Sequence, residues 1–162
     1  MNTVISTTAA ARVVPPGAGL VARTSHAAFP DIEVKFTGDG FGFSMIDYAV
    51  PPRFAPPPNL HRHTRENAVI YVLEGELHYW FEHDDAVAGP GTALLLPAGA
   101  WFRWANETDR PARLLALFAP GGFEQFFVDL FAAIEADGAD DAAIGRHIGP
   151  MREHYGDEAY PH

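Results

Sequence analysis

From Ile32 onward, apolar and polar residues alternate in short runs separated by glycine- and proline-rich turns. In IEVKF, Ile32, Val34 and Phe36 fall on one side of an extended chain, because side chains two apart share a face of a strand. The turn TGDG follows, and FGFSMIDYAV predicts a second strand. The segment PPRFAPPPN holds too many prolines for a central strand and reads as a loop or an edge. Next come His61-x-His63 and the long run AVIYVLEGELHYWFEH, in which Glu74-Gly75 reads as a hairpin turn between β-rich flanks. The turns Gly89-Pro90-Gly91 and Pro97-Ala98-Gly99 bracket two short strands, TALLL and AWFRWAN, and ARLLALFA supplies a last one ending at Pro120. Short strands at this spacing predict an antiparallel sandwich or barrel.

The period changes after Pro120. Phe123, Phe126, Phe127, Leu130, Phe131 and Ile134 recur at helical spacing and predict an amphipathic helix over about 122–136, ending near Gly138. It reads as a lid on the barrel or a contact between subunits. A second piece, DDAAIGRHIGPMREHYG, is interrupted by Gly145, Gly149 and Pro150, and Pro150 is placed to open a short final helix. Three regions result: an N-terminal arm over residues 1–31, with a short strand at 12–14, a barrel over 32–120 and a helical segment over 121–162.

Composition narrows the chemistry. The 162 residues fit one domain with a sizeable core. A net charge of −10 repels phosphate backbones, which argues against nucleic acid as a partner. The absence of cysteine excludes disulfides, thiolate metal sites and cysteine nucleophiles. No apolar run approaches the roughly 20 residues of a membrane helix. The first residues lack the basic and apolar regions of a signal peptide, so a soluble cytoplasmic protein is expected.

The chemistry-bearing stretch is NLHRHTRENAVIYVLEGE, residues 59–76. Two histidines at i and i+2 on a strand point to the same side, and inside a barrel their imidazoles converge. This block and the later run from Gly91 through Pro97 and Gly99 to Asn106 resemble the paired motifs of the cupin superfamily. The resemblance implies an all-β fold, the cupin double-stranded β-helix or jelly-roll barrel, with C-terminal helices. PPGAGL and APGGFEQFF look like the flanks of small single-domain cupins resembling bacterial quercetin dioxygenases. Such relatives hold a divalent metal (Fe, Mn, Ni, Cu or Zn) with two histidines, a glutamate and a third histidine, and a homodimer is implied as well. Here His61 and His63 match the first two ligands, but the glutamate position is Ala68 and the third histidine position is Phe102.

With two of four ligands replaced by apolar groups, no cofactor is expected. If a metal is held, its ligands are His61, His63 and, as a substitute, Glu66, which shares their inward parity. His61 and His63 are the candidate catalytic pair, since an ordinary imidazole exchanges protons near neutrality; packing relics are the other reading. Asn59 shares their parity. Phe102 and Trp104 lie on one face of a strand, as core filling or as an aromatic wall for a ligand. Trp101 has the opposite parity, and so does His78 if Leu77, Tyr79 and Phe81 face inward. Tyr48 and Tyr71 carry phenols that could donate a proton, although structural hydroxyls at the sheet surface are the preferred reading. Arg53, Arg62 and Arg65 read as solvated charge, with a grip on an anionic substrate as the alternative. Three functions remain open. One is acid–base chemistry on an apolar, aromatic small molecule without metal, of isomerase, cyclase or lyase type. The others are a divergent metal-dependent dioxygenase and a non-catalytic binding module.

Overall fold

A computed structural model describes residues 11–57 and 60–161, and Asn59 lies outside the described residues. In chain order the elements are β1 (Leu20–Ala22), β2 (Ile32–Phe36), β3 (Ser44–Val50), β4 (His61–His63), β5 (Asn67–Glu74), β6 (Leu77–Phe81), β7 (Asp85–Ala88), β8 (Ala93–Leu96), β9 (Phe102–Ala105), β10 (Ala112–Ala119), α1 (Glu124–Ala136), α2 (Asp141–Tyr155) and β11 (Asp157–Ala159). The strands form two antiparallel sheets. One has the order β1-β2-β3-β10-β5-β8 and the other β11-β4-β9-β6-β7. Their inner faces meet over a shared apolar core, as the alternation along each strand requires.

Several expectations change. The residues 12–14 form no strand; the arm contributes β1, which pairs with β2 through Leu20↔Val34. Glu74-Gly75 is not a hairpin turn, because β5 and β6 belong to different sheets. It is a corner at which the chain crosses the sandwich. Gly75 has φ 75, and a Cβ there would sit 2.6 Å from the Ala112 Cα, so both backbone conformation and the close approach of β10 require glycine. The second helical piece is one continuous helix with Pro150 inside it. Asp140 caps its start by accepting from the Ala143 N–H at 2.7 Å.

The first helix lies against the sandwich as its pattern implies, with Phe126, Leu130, Phe131 and Ile134 buried. Its start is fixed by the buried Glu124, which accepts from the backbone N–H of Gly122 at 2.7 Å and of Gly38 at 3.2 Å. Its end is held by the arm: Glu135 accepts from the Ser25 N–H at 2.6 Å and the Thr24 hydroxyl at 3.1 Å. Among the described residues, no helix is long and apolar enough to cross a membrane.

Candidate active site

A cavity of about 100 Å³ lies between the sheets beneath α1. Ile46, Ala68, Ile70, Leu96, Leu114, Ala116 and Phe118 supply much of its wall, and Phe123, Phe126 and Phe127 close it from the helix side. Its polar lining residues are His61, His63, Asp157, Tyr48, Tyr79 and Trp104. The lid reading of α1 therefore matches the geometry.

The histidine pair sits where its spacing put it. Both rings are buried on the inner face of β4, with centroids 5.7 Å apart. Their surroundings differ. His61 stands opposite Phe102 in the β4–β9 pairing, and their rings are 4.3 Å apart. His63 stacks on Phe123 of the lid at 4.0 Å. Behind His63, Glu66 is buried, with Oε1 3.0 Å from Nδ1. The two atoms are close enough for a hydrogen bond but not aligned for one. With Nδ1 turned to the carboxylate, Nε2 is the nitrogen left for chemistry. Glu66 thus has the inward parity its spacing implied, but it serves one histidine and does not stand between the two.

Phe102 is buried and Trp104 half-buried, and both line the cavity. Tyr48 lines it as well, 5% exposed, so its hydroxyl is not a surface group. Burial, with the neighbouring Tyr79 adding to it, pushes the Tyr48 phenol well above its ordinary pKa. Tyr71 lies at the sheet surface, as the preferred reading of its phenol has it, and not in the cavity. It is 41% exposed, because Ala68, Ile70 and Val72 take the inward positions of β5 and strand alternation sends Tyr71 outward. The three arginines are engaged elsewhere: Arg53 with Asp109 at 2.8 Å, Arg62 with Glu158 at 2.6 Å, and Arg65 with the His154 carbonyl at 2.7 Å. None of them lines the cavity, so an arginine grip on an anionic substrate does not form there. Trp101 lies outside, beneath the Arg62 guanidinium at 4.5 Å and beside Tyr160.

Two polar cavity residues fall outside the expected site. Tyr79 was legible as inward-facing on β6, and a phenol at a core position is the signal that its hydroxyl needs a partner. Asp157 had no such signal. It arrives on β11, which pairs with β4 so that Asp157 stands opposite His63. Arg152 holds it with two hydrogen bonds, of 2.8 and 3.0 Å.

The donor set does not suit the metal that the resemblance implies. Ala68 offers no oxygen, the Phe102 ring packs against both imidazoles, and Glu66 backs His63 alone. Among the described residues, no group of three or more His, Asp or Glu side chains converges as a metal site.

The profile of the family described as "Cupin domain" matches residues 48–118. Several solved structures are similar to part of the chain. The protein TT1209 from Thermus thermophilus is 36% identical over 48% of this chain and 72% of its own, with a TM-score of 0.44. KdgF from Halomonas sp. is 15% identical over 59% of this chain and 82% of its own, with a TM-score of 0.52. An RmlC-like cupin from Shewanella frigidimarina is 19% identical over 59% of this chain and 79% of its own, with a TM-score of 0.50. No curated protein matches the chain in sequence. Residues 48–118 thus match the cupin domain, and the fold is a mostly β, two-sheet cupin sandwich whose strands reach from Leu20 to Ala159.

Proposed function

We propose that the cavity is the active site of a cupin enzyme that moves protons on a small, mostly apolar molecule without a metal. The observation that carries this reading is the buried pair His63–Glu66, 3.0 Å apart, in a site whose two other metal-ligand positions are Ala68 and Phe102. His63 Nε2 takes a proton from a carbon next to a carbonyl, with Glu66 standing behind the ring on the Nδ1 side. Return of the proton to another atom completes an isomerisation; loss of a leaving group from the neighbouring carbon completes an elimination. His61 is the second proton-handling group. Apolar walls exclude water and strengthen each of these interactions.

Size bounds the substrate. Apolar cavities of about 150 Å³ take up benzene, so about 100 Å³ suits a short branched chain or a small ring. The reading is tested by incubating the protein in D₂O with small ketones, cyclopentanone among them, and following loss of the α-proton by NMR. Expected is protein-dependent exchange that survives chelation and disappears in His63→Ala. Exchange that requires added metal, or none across the set, overturns the reading; binding without exchange points to a non-catalytic module.

A further inference from the structure

A second polar feature of the cavity has no part in the proton transfer. Tyr79 is 1% exposed, it lines the cavity, and its hydroxyl has no hydrogen-bond partner. A buried hydroxyl left unpaired costs about 1–3 kcal/mol, and a phenylalanine would fill the same space without that cost. Tyr79 is paired with Trp104 across β6 and β9, and the two rings lie near parallel at 6.3 Å. Tyr48 comes from the opposite sheet and meets the same indole edge-on at 5.6 Å. Burial pushes the pKa of both upward, so both hydroxyls keep their protons and can donate.

We propose that Tyr79, with Tyr48, forms an acceptor subsite that takes a neutral oxygen of the ligand, a carbonyl oxygen above all. The proposal rests on the cavity's being the ligand site and names the ligand class more narrowly. The class follows from the surroundings. No lysine or arginine lines the cavity to pair with an anion, and the lining carboxylate, Asp157, is engaged by Arg152. What two protonated phenols in an apolar pocket recognise is an uncharged acceptor. Placement fits a ligand reaching from one group to the other. His61 stands opposite Phe102 and Tyr79 opposite Trp104, so imidazole and phenol occupy one inner face, with the two aromatic residues of β9 between them. An oxygen held at Tyr79 leaves the carbons beside it on the side of the histidines.

The test compares binding of cyclopentanone with that of methylenecyclopentane, which has the same shape but a carbon in place of the oxygen. Binding is followed by NMR titration of the full chain. The unmodified protein is expected to prefer the ketone about tenfold, the ratio one to two neutral hydrogen bonds provide. Tyr79→Phe is expected to abolish that preference while its thermal midpoint is unchanged or higher, because the variant removes an unpaired hydroxyl. Tyr48→Phe is expected to reduce the preference in part. A ketone preference that persists in Tyr79→Phe overturns the proposal, as does equal binding of both probes to the unmodified protein. Because the readout is binding, the subsite stands if the ketone preference is found and proton exchange is not; exchange without the preference leaves the catalytic reading alone standing.

Discussion

His63 and His78 are both close to carboxylates: His63 to Glu66 at 3.0 Å, and His78 to Glu107 at 2.8 Å and to Asp85 at 2.9 Å. Both rings stack on an aromatic residue, Phe123 for the first and Trp80 for the second. The difference lies in how many ring nitrogens are committed. His78 faces outward on β6 and engages a carboxylate through each nitrogen, so both must carry a proton. The hydrogen bond to Glu107, helped by Asp85 and opposed by partial burial, raises its pKa. When protonated, it bridges two carboxylates at the surface. His63 faces the cavity with a carboxylate at one nitrogen only, which leaves the other for a substrate. Proximity of imidazole to carboxylate is therefore not by itself the mark of a site; the proposed function rests on the second nitrogen of His63, which faces the cavity.

The contrast is tested most strongly by removing each ring in turn. His63→Ala is expected to lower proton exchange by roughly 10²–10⁴-fold, the usual contribution of a positioned acid–base group. His78→Ala is expected to leave exchange within about twofold, since that ring touches nothing in the cavity. Equal losses in the two variants would erase the distinction. Removing the carboxylates comes next. Glu66→Gln is expected to slow exchange by roughly 10- to 100-fold, as when other carboxylates that orient an imidazole are lost, whereas Glu107→Gln leaves the rate unchanged.

The second carboxylate near His63, Asp157, acts on stability. Arg152→Met leaves Asp157 buried without its cation and is expected to destabilise the fold by roughly 3–5 kcal/mol, read from urea unfolding. A smaller loss would show that Asp157 is held by the β11–β4 pairing more than by charge. The smallest effect is a pH dependence. Because the folded pKa of His78 is raised above the ordinary 6.5, its contribution to stability is fully present below that pH and fades as pH rises through the folded value. His78→Gln should flatten that part of the stability profile; an unchanged profile would assign the slope to another group.

The alternating strands and the His61-x-His63 pair were legible because period and spacing are local properties of the chain. The inward parity of Glu66, Phe102 and Trp104 and the outward parity of His78 followed from the same rule. Gly75 misled because a hairpin and a corner between sheets use the same residues, and only the distant partner Ala112 tells them apart. Residues 157–159 are too short and polar to show a β pattern, so Asp157 could not be seen until β11 was found beside β4. Pro150 looked like a helix boundary, yet packing and a capped start carry α2 through it. Tyr71 stands at the surface because the parity that buries Ile70 turns it outward.

The most direct measurement is the rate of deuterium exchange into cyclopentanone catalysed by the purified protein, taken before chelation, after exhaustive chelation, and after return of one equivalent of a divalent metal. If the His63–Glu66 pair moves the proton unaided, the three rates are the same, and all three collapse in His63→Ala. A rate that vanishes on chelation and returns with the metal would show instead that the pair does not act alone.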